Sequence, residues 1–230
     1  MTKGLFRTLE VCHDQAARSA AMNMAIDEAL LECITVPAIR FYRWQSPALS
    51  FGYFGRFADV ARYQSEHDLV RRWTGGGIVF HGEDLTYSMV IPATDAVFIE
   101  SSMSIYENIH RALVDALEGS GQHAILAAIA GGGGFIEVND PSYNCFANPV
   151  RADVIMDGRK IAGAAQRRTR RGLLQQGSIQ GTELGDHLTK QFAHALSANC
   201  RERKVDEEIL KLARELAERK YGTESWLRKR

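Results

Sequence analysis

Apolar residues at Met22, Ile26, Leu30 and Cys33 recur at helical spacing and predict an amphipathic helix over residues 19–34. Pro37 closes it, and two β-rich stretches follow, Ile39 to Trp44 and Ala48 to Tyr53, parted by the turn pair Ser46-Pro47. A short helix is expected over 59–67, then a strand from Leu69 to Trp73 that runs into Gly75-Gly76-Gly77 and resumes at Ile78-Val79-Phe80. Leu85 to Ile91 alternates as another strand. Ile105, Ile109, Leu113 and Leu117 mark a second helix, closed by Gly119 and Gly121. An apolar strand at 124–130 leads into the glycine cluster Gly131 to Gly134. Ala152 to Met156 and Arg159 to Ala165 flank Asp157-Gly158, a pair suited to the type I′ turn of a hairpin. Leu173 to Ile179 forms a further strand. Val205, Ile209, Leu212 and Leu216 give a tail helix one apolar face, and Glu207–Lys211 and Glu215–Arg219 offer i,i+4 pairs on the other.

Strands with intervening helices and a hairpin predict an α+β fold, a mixed or largely antiparallel sheet with flanking helices. The 230 residues suit one large domain or two small ones, and no linker demands a break before about residue 200. Residues 1–200 are therefore read as one domain and 201–230 as a C-terminal helical tail, able to cap that domain or to bind a partner. Lys+Arg and Asp+Glu balance at 28 each, so no overall field draws the chain to nucleic acid or membrane. The longest uninterrupted apolar run, Ala124 to Ala130, is far short of the ~20 residues that span a bilayer. No apolar stretch follows Lys3 and Arg7, so no secretory signal is expected. Cys12, Cys33, Cys145 and Cys200 are scattered without a CxxC pair, which fits a reducing cytoplasm and no metal site.

Three stretches could carry chemistry. In Arg71-Arg72-Trp73-Thr74-Gly75-Gly76-Gly77, ending at His81, three glycines let backbone N–H groups approach a negative oxygen; the plain alternative is a tight turn. In Gly158-Arg159-Lys160-Ile161-Ala162-Gly163-Ala164-Ala165-Gln166, small residues leave room against the strand. Lys160 among apolar neighbours would be desolvated and useful, or simply an edge-strand lysine. In Pro141-Ser142-Tyr143-Asn144-Cys145-Phe146 a thiol lies 15 residues ahead of that lysine, as an activated nucleophile or a small buried hydrophobe.

Taken in order, these motifs resemble the lipoate–protein ligase and octanoyltransferase superfamily, whose catalytic domain is related to biotin protein ligase. The resemblance also draws on Asn23 to Leu30, Arg40-Phe41-Tyr42-Arg43-Trp44, Pro47 to Gly52 and Leu174-Gln175-Gln176-Gly177-Ser178-Ile179, and covers roughly residues 20–180. Cys145-Phe146 followed by Lys160 is similar to one cysteine–lysine octanoyltransferase branch, although Gln176 stands where that motif more often has His. The resemblance implies a Cys145 thioester intermediate and Lys160 as its electrostatic and proton-shuttling partner. Arg72, Gly75, Gly76, Gly77, His81, Gly163 and Ala164 would bind the acyl substrate, with N–H groups near Gly76 and Gly77 as oxyanion donors and His81 shaping the pocket. It further implies an acyl carrier protein as donor, a lipoyl domain such as the glycine-cleavage H protein as acceptor, and no required cofactor. Two alternatives stay open: an ATP-dependent (ATP/Mg) lipoate or octanoate ligase, and a non-catalytic binder of lipoyl domains. Arg167, Arg168, Arg170 and Arg171 form either a solvated hairpin tip or a docking patch for acidic carriers.

Overall fold

The computed structural model describes residues 4–128, 149–181 and 186–229. Its elements run β1 (Leu9–His13), α1 (Ala20–Cys33), β2 (Ala38–Tyr42), β3 (Ala48–Phe51), α2 (Phe57–Val60), β4 (Asp68–Arg71), β5 (Ile78–His81) and β6 (Leu85–Pro92). Then come α3 (Ser102–Gly119), β7 (Ala124–Leu126), β8 (Val154–Met156), β9 (Arg159–Arg168), β10 (Gly172–Ile179), α4 (Asp186–Leu196), β11 (Cys200–Glu202), α5 (Glu207–Leu216) and α6 (Glu224–Leu227). An eight-stranded sheet has the order β11-β1-β2-β6-β10-β9-β8-β7, and a three-stranded sheet has the order β4-β3-β5. β1 runs parallel to β11 and β2, and the large sheet is antiparallel from β2 through β7. The fold is the expected α+β class with a mixed sheet and flanking helices.

Strand alternation sorts the large sheet into two faces. Ile39 and Phe41 of β2, Tyr87, Met89 and Ile91 of β6, and Leu173 and Ile179 of β10 pack with α3 and α4 in one core. Ala38, Tyr42, Val90 and Leu174 point the other way, into a second core with α1 and α5. Covered on both sides, β2, β6 and β10 are buried along their whole length. The three-stranded sheet packs its own small cluster of Leu49, Phe51, Val60 and Ile78.

α1 matches the expected span and is capped by Ser19, whose hydroxyl accepts from Met22 N–H. It is not an ordinary amphipathic surface helix, however. Asn23, Asp27 and Glu28 on its polar side are buried as well, because Asn23 and Asp27 bond to side chains of β2, β6 and β10 and Glu28 to Lys220 and Tyr221 of the tail. Asp157 and Gly158 have φ of 50° and 73°, the two left-handed residues of the expected hairpin turn. The helix expected over 59–67 is instead α2 followed by a 3₁₀ turn, Ala61–Tyr63. The tail pairs differ too, since Glu207 meets Arg214 at 3.3 Å. β1, β11, α4 and α6 had no counterpart among the expected elements.

The tail lies on the body of the fold. Ile209, Ala213 and Leu216 of α5 join the α1 core, and Glu28 of α1 accepts from Lys220 at 2.5 Å and from Tyr221. The buried Arg71 guanidinium donates to the carbonyls of Tyr53, Gly55, Trp226, Leu227 and Lys229, and Trp226 Nε1 donates back to the Arg71 carbonyl. No helix among the described residues is long and apolar enough to cross a membrane.

Candidate active site

A cleft of about 500 Å³ opens between the small sheet and the α1 face of the large one. Its small-sheet wall is Ser50, Arg72, Gly76, Val79 and His81, its floor includes Met24, Tyr42 and Gln176, and its far wall is Lys160 with Gly163, Ala164 and Ala165. The structure thus brings together Arg72, Gly76, His81, Lys160, Gly163 and Ala164 of the expected set. Gly75 and Gly77 do not line this cleft. Their carbonyls accept from Arg72 Nη2 at 3.0 and 2.9 Å, which holds the loop around Gly76. Cys145 and Phe146, with the cluster Gly131 to Gly134, lie outside the described residues.

Lys160 reaches the cleft because β9 is bulged. Ile155 pairs with Lys160 while Val154 pairs with Ala162, so Ile161 is an extra residue. Strict alternation would put Lys160 on the side of Ala162 and Ala164, which pack toward the α3 core. The bulge reverses that parity and turns Lys160 over Gly163. Its ammonium then meets Asp153 Oδ2 at 2.7 Å, with both side chains buried. Lys160 therefore does not sit among apolar and small neighbours alone, because a carboxylate faces it. Asp153 is in turn fixed by Tyr106 O–H at 2.5 Å and Val150 N–H at 2.7 Å, and Tyr106 accepts from Ala164 N–H at 3.0 Å.

The small residues of β9 likewise have specific occupants. A Cβ on Gly163 would lie 2.5 Å from Lys160 Cε, so the room at that position is filled by the lysine itself. Ala165 Cβ lies 3.3 Å from where a Cβ on Gly76 would sit, and Gly76 has φ of +85°. The glycine loop therefore crosses directly over β9. Gly52 permits the crossing from the other side, since its Cβ would fall 2.0 Å from the Gly76 carbonyl.

Opposite Lys160, a polar chain runs through the small-sheet wall. Arg72 Nη1 donates to Ser50 Oγ at 2.7 Å, Ser50 Oγ lies 2.6 Å from His81 Nε2, and His81 Nδ1 lies 2.8 Å from Asp84 Oδ2. Burial pushes the His81 imidazole below its ordinary value, against the pull of Asp84. A neutral ring then donates from Nδ1 to Asp84 and accepts the Ser50 proton at Nε2. Burial opposes ionisation of Asp84, but hydrogen bonds from His81, Ser178 and Thr86 hold its carboxyl below the usual range. With Trp44 stacked on its ring at 4.0 Å, His81 is locally bonded at both nitrogens and shapes the wall.

Gln176 ties the floor together, donating to Asp27 Oδ2 at 2.8 Å and accepting from Thr74 Oγ1 at 2.8 Å. A neutral His could also donate and accept once each, so Gln at this position keeps the link between α1 and the glycine loop. Sequence reasoning missed Ser50, Asp84, Asp153 and Tyr106. Ser50 sits inside a stretch already marked and Asp84 in the turn just after His81, but Asp153 needs the bulge and Tyr106 needs helix packing to be seen. The described cysteines are not activated thiols: burial pushes Cys12 up to about 11 and raises Cys33 and Cys200 as well.

Residues 19–219 match the family model of the lipoyl protein ligase A/B catalytic domain. Over 199 residues the chain is 32% identical to an octanoyltransferase LipM of Brevibacillus brevis, spanning 83% of this chain and 72% of that one. Identity to an octanoyltransferase LipM of Bacillus cereus is 36% over 171 residues, 70% of this chain and 61% of the relative, so under two thirds of that relative is matched. A lipoate-protein ligase A bound with ATP shares the fold at a TM-score of 0.72 and 24% identity, covering 98% of each chain. The matched span contains both walls of the cleft, its floor and the helix beneath it: the chain belongs to the lipoyl protein ligase A/B catalytic-domain family.

Proposed function

We propose that the protein transfers a medium-chain acyl group, octanoyl, from an acyl carrier protein to a lysine of a lipoyl domain in protein lipoylation, through a thioester on Cys145. The Cys145 thiolate attacks the carrier thioester, and the carrier thiol leaves with a proton. The acceptor amine then attacks the enzyme thioester, loses a proton and forms the amide as the Cys145 thiolate departs. Lys160 stabilises the thiolate and exchanges those protons, with Asp153 holding it in place. Arg72 holds the glycine loop against the cleft, and the N–H group at Gly76 receives the oxyanion, a contribution of up to ~3 kcal/mol in acyl-transfer sites. His81, Gly163 and Ala164 shape the space for the acyl chain. The catalytic residues lie within residues 1–200, and residues 201–230 complete the same fold with the end of β11 and the helices packed on α1, in a cytoplasmic enzyme that needs no nucleotide.

The observation that carries this reading is the buried Lys160 ammonium, turned by a bulge into a mostly apolar cleft and pinned by Asp153 at 2.7 Å. The similarity to octanoyltransferases at 32% and 36% identity supports the same chemistry. The test is incubation with octanoyl carrier protein without nucleotide, followed by mass spectrometry. A hydroxylamine-sensitive adduct on the native chain, absent from Cys145→Ala, is the expected result. Acceptor modification only with ATP and Mg would establish the ligase reading instead, and no transfer under either condition a binding role.

A further inference from the structure

We propose that Arg167, Lys220 and Lys229, gathered around Tyr53, Trp73 and Trp226 beside the cleft, form the docking surface for the acceptor: an acidic protein domain that presents the lysine to be acylated. This rests on the transfer reading above and adds the surface that selects the second substrate.

The cations converge from two distant parts of the chain, β9 and the C-terminal tail. The Arg167 guanidinium lies 5.1 Å from the Tyr53 ring and 5.2 Å from Trp73. Lys220 Nζ lies 4.4 Å from Trp73 and 4.5 Å from Trp226, and Lys229 Nζ lies 4.7 Å from Tyr53 and 5.1 Å from Trp226. Lys220 is bound to Glu28 at 2.5 Å, whereas no carboxylate among the described residues pairs with Arg167 or Lys229. On a chain with no net charge this is a local positive field. The exposed Tyr53 hydroxyl feels it, lowered first by its hydrogen bond from Lys229 and further by the charges of Lys229, Arg167 and Lys220. The largely exposed Phe54 ring, edge-on to Tyr53 at 5.0 Å, adds an apolar contact beside the charge. Arginine and aromatic residues are enriched at protein interfaces relative to the rest of the surface.

Position relative to the cleft follows from strand register. Arg167 pairs with Leu174 as Ala165 pairs with Gln176, so Arg167 shares the cleft face of β9 with Ala165, about 7 Å further along. Trp73 directly follows Arg72, and Tyr53 N–H donates to the Thr74 carbonyl at 2.8 Å. The patch is therefore built on the outer side of the glycine loop. Of the arginine run seen in the sequence, Arg167 belongs to the patch, whereas Arg168 donates to the carbonyls of Phe98 and Glu100 at 2.5 and 2.7 Å and Arg171 pairs with Glu32 at 3.2 Å.

Charge complementarity selects an acidic partner surface. The same field favours the acceptor over the donor, because cations near an incoming ammonium disfavour its protonated form and so help generate the nucleophilic amine.

The test uses the double variant Arg167→Glu/Lys229→Glu, with Arg167→Gln/Lys229→Gln as a milder companion. Lys229 is exposed and Arg167 half-exposed, so both variants keep the fold. Transfer to the glycine-cleavage H protein is followed in parallel with adduct formation from the octanoyl thioester of a small thiol. Charge reversal is expected to lower kcat/KM for H protein about tenfold at low salt through KM, with the effect shrinking at high salt and the neutral pair intermediate. Adduct formation should stay within about twofold. Unchanged transfer to H protein, or an equal loss in both assays, overturns the docking surface. Adduct formation from octanoyl carrier protein is measured too, and a loss confined to that step also overturns it, by assigning the patch to the donor. If the native chain forms no adduct, the thioester route fails, and H-protein binding by the native and reversed chains decides the docking surface independently. Weaker binding by the reversed chain supports it and equal binding refutes it.

Discussion

Replacing Gly163 by Ala places a methyl group where Lys160 now lies. The new Cβ would sit 2.5 Å from Lys160 Cε, 2.7 Å from Nζ and 3.1 Å from Asp153 Oδ1. Non-bonded carbons rest at about 3.5–4.0 Å, so the end of the lysine must move by roughly 1 Å or more. Asp153 cannot follow, because Tyr106 and Val150 hold its two oxygens. The 2.7 Å ion pair therefore stretches or breaks. Full loss of one partner from a buried pair costs about 3–5 kcal/mol; a lysine that swings but keeps some contact loses less, so about 1–3 kcal/mol is expected. At about 2–4 °C per kcal/mol for a domain of this size, Tm falls by roughly 2–12 °C. Activity should suffer more than stability, since a misplacement of about 1 Å in a positioned group can cost on the order of 100-fold. The assay pairs thermal denaturation with the rate of octanoyl transfer to H protein. A Gly163→Ala variant with native Tm and native rate would refute the placement of Lys160 over Gly163 and the role derived from it.

Two further outcomes are expected from the same packing. His110 is buried with Nδ1 facing the Ala152 carbonyl at 2.6 Å and Nε2 facing the Tyr87 hydroxyl at 3.0 Å, and burial lowers it from 6.5 to about 4. The unfolded chain binds this proton more readily, so stability is full above about pH 6.5 and falls by about 3 kcal/mol as pH drops through 4. Urea titrations at several pH values should show that loss, and His110→Gln should flatten it; equal slopes would rule the histidine out as its source. Gly52→Ala forces a methyl to within 2.0 Å of the Gly76 carbonyl and 2.7 Å of Gly75, and should cost about 1–3 kcal/mol with the loop displaced. Denaturation together with transfer kinetics checks it, and native values in both would show that the loop does not cross at Gly52.

Local signals in the chain served the elements whose partners are near in sequence. α1 and α3 carry long helical periods, and the Asp157-Gly158 turn needs only two residues with positive φ. β1 and β11 are short segments that pair in parallel across about 190 residues, Leu9 with Cys200, and nothing local specifies such a match. α4 is a different case, because Leu188, Phe192 and Leu196 do recur at helical spacing and pack into the first core. The glycine loop, His81 and Lys160 stand out by residue type, whereas Asp153 depends on a bulge that reverses which way Lys160 points. Periodicity assumes regular strands, and the site is built where that regularity breaks.

The distribution of buried polar groups carries the same lesson further. Arg40 is fully buried and bonded to Asp14 at 2.8 Å, Asp27 at 2.9 Å and Asn23 Oδ1 at 2.7 Å. Asp27 also accepts from Tyr42, Ser88 and Gln176, and Gln176 accepts from Thr74 in the glycine loop. Buried ion pairs of this kind contribute little net stability compared with well-packed hydrocarbon. A chain selected only for stability would close the α1 face as it closes the α3 face, with leucine, isoleucine and phenylalanine. What the network supplies is uniqueness, because each acceptor is satisfied only when α1, β2, β10 and the loop hold one register. That register brings Gly76 over Ala165 and so sets the width of the cleft beside Lys160. Loss of Gln176 should therefore widen the cleft and loosen the loop well before it unfolds the domain.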